Sequence, residues 1–229
     1  NFLNLKKYDI CLTLKKLHIY QHLKSVITLL ATSITIELYT LLDVTMVGVL
    51  CDKSAVAYYT YPIQIVRVVI TIITAVGGIL LPRLSHYISC GKKDLCQYEV
   101  DKVLNIFAFL VPAGTGLILM ADELIQILYG QNFDAAINTL RIASLLTITL
   151  GFSNLFGSQI LIAFGDEKKI LYATLAGALS NIAMNLVLIP CLQQNGATLS
   201  SVLSEGLVTL VSFRYAKKYV TIMPKAHNI

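Results

Sequence analysis

The sequence predicts an all-α polytopic membrane protein of about six transmembrane helices, and three observations carry that prediction. The chain of 229 residues is 56% hydrophobic but only 14% charged, with a mean hydropathy of +0.71. A soluble domain is nearer half apolar and about a quarter charged. The 18 basic and 13 acidic residues cluster between long apolar runs and cannot form the polar skin that solubility requires. Each run approaches the roughly 20 residues that cross a bilayer, and the length accommodates about six of them.

Taken in order, residues 1–23 are basic and mixed, with Lys6, Lys7, Lys15 and Lys16 set among Leu and Tyr. They read as an interfacial or linking helix on the cytoplasmic membrane surface. Apolar segments follow at 24–50, 56–81, 103–121, 139–164, 170–190 and 196–213, within a single bundle over 24–215, and 216–229 form a short basic tail. Pro62 falls early in the second segment, and Pro82 and Pro190 fall at exits. Pro112-Ala113-Gly114 lies inside the third, where neighbouring helices must satisfy the freed backbone groups. The chain opens at Asn1 without a Met or a cleavable signal peptide, which reads as a fragment with upstream sequence missing.

Loop charge sets the orientation. Lys6, Lys7, Lys15, Lys16 and Lys24 share one side with Arg83, Lys92, Lys93, Lys102, Lys168 and Lys169, and with the C-terminal Arg214, Lys217, Lys218 and Lys225. The opposite loops hold Lys53, with Asp122, Glu123 and Asp134 making one of them acidic. The positive-inside rule therefore puts both termini in the cytoplasm. It also places Cys90 and Cys96 on the cytoplasmic side, and Cys51 and Cys191 near the outer face. The five cysteines form no CxxC pair and no metal spacing, so they read as small apolar fillers; no metal or cofactor is expected. The basic residues are scattered over loops without a stripe or an aromatic platform, which excludes nucleic acid. His18, His22, His86 and His227 all fall on the cytoplasmic side. With no paired-carboxylate motif, no GxSxG and no phosphate-cradling glycine loop, enzymatic chemistry is not expected.

Polar residues inside lipid normally face protein or a water-filled cavity, and here they align. Thr60, Gln64, Arg67, Thr71, Thr74 and Gly78 recur at spacings that share one face of the second helix. Thr28, Thr32, Thr35, Tyr39 and Asp43 do so on the first, Thr174, Gly177, Asn181 and Asn185 on the fifth, and Thr198, Ser201, Glu205 and Ser212 on the sixth. Four such faces predict a shared polar interior, although small residues also serve close helix packing. Arg67, Gln64, Thr71, Tyr39, Asn181 and Asn185 are the candidate substrate-binding residues; Asp43, Glu37 and Glu205 are the candidates for a coupling ion. Arg67 has two readings. Its guanidinium suits a phosphate or carboxylate ligand, or it forms a structural ion pair with Glu37, Asp43 or Glu205. Glu37 points away from the threonine stripe.

The order of motifs resembles a known superfamily. Asp43-Val44-Thr45-Met46-Val47-Gly48 is similar to the end of the helix that opens a repeat in the multidrug/oligosaccharidyl-lipid/polysaccharide exporter (MATE-like) superfamily. Ala57-Tyr58-Tyr59 resembles the start of its next helix, and Leu80-Leu81-Pro82-Arg83-Leu84-Ser85 that helix's exit. Pro112-Ala113-Gly114, Tyr129-Gly130 to Ala136, Gln159-Ile160-Leu161, Asn181 to Asn185, Asn195-Gly196-Ala197 and Glu205 follow in order. The nearest likeness is to the Wzx-type polysaccharide flippases, which translocate undecaprenyl-pyrophosphate-linked repeat units of O-antigen or capsule. That resemblance implies two six-helix bundles rocking about a central cavity, of which this chain is the second. It implies a pyrophosphate-engaging cation, which maps onto Arg67, and a bacterial inner-membrane location. Partners would be the lipid-linked oligosaccharide, membrane lipids and an N-terminal six-helix half, with a glycan polymerase or glycosyltransferases as further candidates. A multidrug antiporter, a peptidoglycan-precursor (lipid II) flippase and a non-transporting scaffold for glycan-synthesis enzymes are the alternatives.

Overall fold

In the computed structural model, which describes residues 19–221, the chain is all-α and holds six helical segments long and apolar enough to cross a membrane. They are Leu23–Leu50, Lys53–Ile72, Lys93–Leu119, Ala135–Leu161, Glu167–Leu192 and Gln194–Ala216. Residues 1–18 of the expected linker and 222–229 of the expected tail lie outside the described residues. The first helix, α1 (Ile19–Leu50), takes in residues 19–23. After it come α2 (Lys53–Gly78), α3 (Leu80–Ser89), α4 (Lys93–Phe107), α5 (Leu110–Leu119), α6 (Ala121–Tyr129), α7 (Ala135–Ala143), α8 (Leu146–Ser153), α9 (Glu167–Leu192) and α10 (Gln194–Ala216).

Two spans are broken, and the breaks have local causes. The third span starts ten residues before the expected 103, because α4 is amphipathic: it buries Cys96, Glu99, Val100, Val103 and Phe107 against α3 while its other face is polar. Ala108 and Phe109 then separate α4 from α5. Pro112 thereby sits in the first turn of a new helix, where a missing N–H leaves no hydrogen bond broken. A Cβ on Gly114 would lie 3.2 Å from the Ser144 carbonyl oxygen, so α5 packs close to the fourth span where α7 gives way to α8. Beyond α8 that span continues as a π-helical stretch, Asn154–Leu161.

Six crossings return the chain to the side from which it started, and contacts at each end agree. On the side of the described termini, Gln97 bonds the Thr221 backbone through both its amide atoms at 2.6 and 2.8 Å. Arg83 pairs there with Glu99 at 3.2 Å. The Tyr219 hydroxyl donates to Asp166, a bond that pushes the phenol above its ordinary pKa. At the opposite end, Thr139 donates to Asn195 at 2.9 Å and Arg141 pairs with Asp122 at 2.6 Å. Asp52 leads into α2 there, accepting from the Ser54 hydroxyl and the Ala55 N–H as an N-cap does. Those donors hold its carboxyl below the usual range, so the cap is intact above the ordinary carboxylate pKa and is lost as the pH falls.

Apolar packing is concentrated in clusters. One joins α3, α4, the π-helical stretch and the turn after α10 around Leu84, Phe107, Leu155 and Ile160; another joins α2, α6 and α7 around Val66, Ile125 and Leu140. Val49, Leu119 and Ile127 are 73–80% exposed, an apolar belt suited to acyl chains. On α1 the expected polarity appears: Thr32 and Asp43 are buried, while Leu30, Leu38 and Leu41 are 55–64% exposed. The tightest pair is the hairpin of α9 and α10, joined through Gln193 at φ 52°. A Cβ on Gly196 would overlap the Leu188 carbonyl, and one on Gly177 would overlap Val208.

Two predictions follow from this arrangement. Gly196→Ala should destabilise by about 1–3 kcal/mol, the usual penalty of overpacking, whereas Gly116→Ala, whose new methyl meets nothing within 4 Å, should not. Thermal unfolding of the purified protein reads both. Thiol labelling in oriented membranes should reach Cys90 from one side and Cys191 from the other, since both are exposed. Cys96, expected to be accessible, is only 4% exposed inside the α3–α4 packing and should react slowly from either side; equal rates at Cys90 and Cys96 would contradict the packing.

Candidate functional site

The polar stripes converge. Asp43 projects from α1 and is 2% exposed. Its Oδ1 accepts from Asn185 Nδ2 on α9 at 2.5 Å. Its Oδ2 accepts from the Ser201 hydroxyl on α10 at 2.9 Å and from the Tyr59 hydroxyl on α2 at 3.1 Å. Asn185 also donates to Asn181 Oδ1, one turn away, at 3.1 Å. Spacing brings these groups together: Asn181 and Asn185 stack on one face of α9, as do Ser201 and Glu205 on α10 and Tyr39 and Asp43 on α1. The Tyr39 hydroxyl donates to Glu205 Oε1. Thus α1 and α10 are linked by two polar rungs, Asp43 to Ser201 and Tyr39 to Glu205.

Cavities open on either side of the Tyr39–Glu205 rung. The upper one, about 220 Å³, is lined by Glu37, Asp43, Tyr59, Arg67, Ser201 and Glu205 among others. The lower one, about 300 Å³, is lined by hydroxyls of α1, α2, α8, α9 and α10, with Asn154 and Ser158 from the π-helical stretch. Tyr39, Ile36, Ile70, Leu150 and Glu205 stand in both walls.

The candidate residues divide by location. Arg67 is exposed and faces the upper cavity. The ion pairs among the described residues are Arg83–Glu99 and Arg141–Asp122, so Arg67 is held by no carboxylate here. Glu37, exposed, shares that cavity, as do Tyr39, Asp43 and Glu205. Asn181 and Asn185 are fully buried in the Asp43 cluster, and neither is in the lining of these two cavities. Gln64 and Thr71 are exposed on α2 outside both linings, with the Thr71 hydroxyl returned to the Arg67 carbonyl at 2.8 Å. Tyr59 was absent from the candidates. Its signal is that Tyr59 and Val66, both buried, lie two turns apart on the inner face of α2. The Ser153-Asn154-x-x-Gly157-Ser158 run was also passed over, since its polar groups face the cavity only through the π-helical turn.

A family model described as "polysaccharide biosynthesis protein" matches residues 3–138, more than half of the chain. The chain belongs to the polysaccharide biosynthesis protein family. This places it in the MATE-like superfamily that the motifs from Asp43 to Glu205 resemble. It is 23% identical over 185 residues to the probable low-salt glycan biosynthesis flippase of Haloferax volcanii, covering 80% of this chain and 39% of that protein. It is 25% identical over 184 residues to the probable lipid II flippase MurJ of Rhizobium tropici, with 77% and 33% covered. To the lipid II flippase MurJ of Bacillus subtilis it is 22% identical over 163 residues, with 69% and 30% covered. The match thus spans between 30% and 39% of the length of these relatives.

Asp43 accepts from three buried donors, and a buried donor that loses its acceptor costs roughly 1–3 kcal/mol. Asp43→Ala should therefore lower thermal stability more than Ser201→Ala or Tyr59→Phe, each of which leaves two donors in place. Equal losses in the three variants would show that the carboxylate is not the hub.

Proposed function

We propose that this chain is the second six-helix bundle of a flippase that moves lipid-linked oligosaccharides across the bacterial inner membrane by alternating access, with both termini cytoplasmic. The observation that carries the proposal is Arg67, a fixed positive charge within a span, facing a cavity and without a carboxylate partner among the described residues. Insertion scales put an arginine at a helix centre at about 3 kcal/mol, and a charge kept at that cost has a use. A pyrophosphate offers several oxygens that a guanidinium meets with two parallel hydrogen bonds. Tyr39 lines the same cavity and supplies a polar contact; Gln64 and Thr71 lie on the same helix face, where a facing bundle would close over them. Asp43, Glu37 and Glu205 remain the coupling-ion candidates, all three standing in the upper cavity wall.

An undecaprenyl-pyrophosphate O-antigen or capsule repeat unit is the substrate we favour. A lipid II flippase is the second reading, since two of the relatives carry that name. Either is transport without covalent chemistry, with the facing bundle and the glycan-assembly enzymes as partners.

In the full-length transporter, Arg67→Ala should abolish surface glycan while leaving membrane abundance near normal, and Arg67→Lys should restore export only in part, because charge returns without the fork. Complementation of a flippase-deficient strain, with membrane level measured in parallel, is the test. Normal export in Arg67→Ala would refute the assignment, and export falling only in proportion to abundance would make Arg67 structural. A strain deficient in the lipid II flippase, rescued by the unaltered transporter, would favour the second reading.

A further inference from the structure

The hairpin of α3 and α4, on the side of the described termini, carries a cleft of about 190 Å³ whose wall is divided by chemistry. Ile79, Leu80, Val103 and Ile106 form an apolar half, and Arg83, Glu99 and Lys102 form a charged half. Helical spacing fixes the order of the halves. Arg83 follows Ile79 by four residues and Ile106 follows Lys102 by four, so each cation lies one turn from an isoleucine on the same face. Because α3 leads on from α2 and α4 leads back into α5, both isoleucines sit at the membrane end and both cations at the outer end. Ile79 is 60% exposed, so the apolar half opens outward to acyl chains.

The charged half is built rather than incidental. Arg83 donates through Nη1 to both oxygens of Glu99 at 3.2 Å. Glu99 is 8% exposed while the Arg83 side chain is half exposed, so a buried carboxylate holds the guanidinium at the mouth of the cleft. Its Nη2 and Nε have no partner among the described residues. Lys102 is exposed and is in neither of the ion pairs among the described residues. The three charged groups therefore leave one positive charge over.

We propose that this cleft binds an anionic phospholipid with a single phosphodiester, of the phosphatidylglycerol kind. Its one negative charge balances the surplus. The free edge of the guanidinium meets the phosphate oxygens, Lys102 adds a point charge, and the first acyl methylenes cover Ile79 and Ile106. Basic pockets between helices at the cytoplasmic surface recognise anionic headgroups in this way. A zwitterionic lipid brings a cation of its own to the site, and a free phosphate leaves the apolar half bare, so both are worse matched. The bound lipid bridges α3 and α4 where the chain passes from the second span to the third, and it fixes the hairpin in the headgroup layer. The site stands whether or not the chain transports glycans.

The test uses the full-length protein in detergent micelles doped with phosphatidylglycerol or with phosphatidylcholine of the same acyl chains, at fixed pH and ionic strength. Phosphatidylglycerol should raise the melting temperature by several degrees over phosphatidylcholine, as a ligand bound to the folded state alone does. Native mass spectrometry should show it retained several-fold more often. Both preferences should shrink in Lys102→Gln and vanish in Lys102→Glu. Lys102 is exposed, and an unchanged melting temperature in phosphatidylcholine shows that these variants still fold. Lys93→Gln and Lys218→Gln, which remove equal charge from a separate cavity at the same end, should leave both preferences in place.

Equal behaviour of the two lipids in both readouts overturns the proposal, as does a preference kept in full by Lys102→Glu. An equal loss in Lys218→Gln would make the effect one of diffuse surface charge, and it too overturns the proposal. So does inorganic phosphate if, added to phosphatidylcholine micelles, it reproduces the whole rise, since the occupant would then be a free anion and not a lipid.

Discussion

The carboxylate of Asp43, held by donors from three other helices, is the interaction around which the bundle is organised. Lipid tails are as apolar as leucine, so helices in a bilayer gain little from hydrophobic association and must be joined by close packing and hydrogen bonds. Both devices occur here, in different places. Glycine and serine bring α9 and α10 into backbone contact, while the Asp43 cluster ties α1, α2, α9 and α10 at one point. A buried carboxylate is tolerated because both of its oxygens accept hydrogen bonds. Removing the carboxylate takes the shared acceptor from all three donors at once, whereas removing one donor leaves the other two in place.

The six spans were legible because twenty-residue apolar runs have few other uses. What escaped was set by interactions that hydropathy does not register. The start of α4 at Lys93 is hidden because its polar face averages out the apolar one, although Val100, Val103 and Phe107 are fully or nearly fully buried. The interruption at Ala108 and Phe109 precedes Pro112, the residue that drew attention, and it removes the backbone problem that the proline seemed to pose. Cys96 was expected on a loop side of the bundle and not in the interior of a helix pair, where it is 4% exposed. Facing helices settled these points, and their register is not written in either sequence segment alone.

The candidate site was partly legible for a related reason. Periodicity found the stripes, because positions three or four apart share a face. It could not say which stripe residues serve a cavity and which serve one another. Asn181 and Asn185 look like ligand groups in sequence; in the structure Asn185 donates to Asp43, 142 residues earlier, and to Asn181. Arg67 keeps both readings in sequence; in the structure it lines a cavity and is in neither of the ion pairs among the described residues. Family membership adds the cellular context of glycan assembly, while the roles of single residues come from the geometry.

The threonines of α1 have a further consequence. Thr28, Thr32, Thr35, Thr40 and Thr45 each donate to the carbonyl one turn back on their own helix, at 2.8–2.9 Å. Their hydrogens are therefore already spoken for, whatever surrounds the helix, and only lone pairs are offered outward. Such a surface is amphibious: water wets it, and hydrocarbon covers it without stranding a donor. A helix that must meet a solvated passage at one stage of a cycle and an oily neighbour at another needs a flank indifferent to both. This sequence provides one without placing a single charge between Lys24 and Glu37.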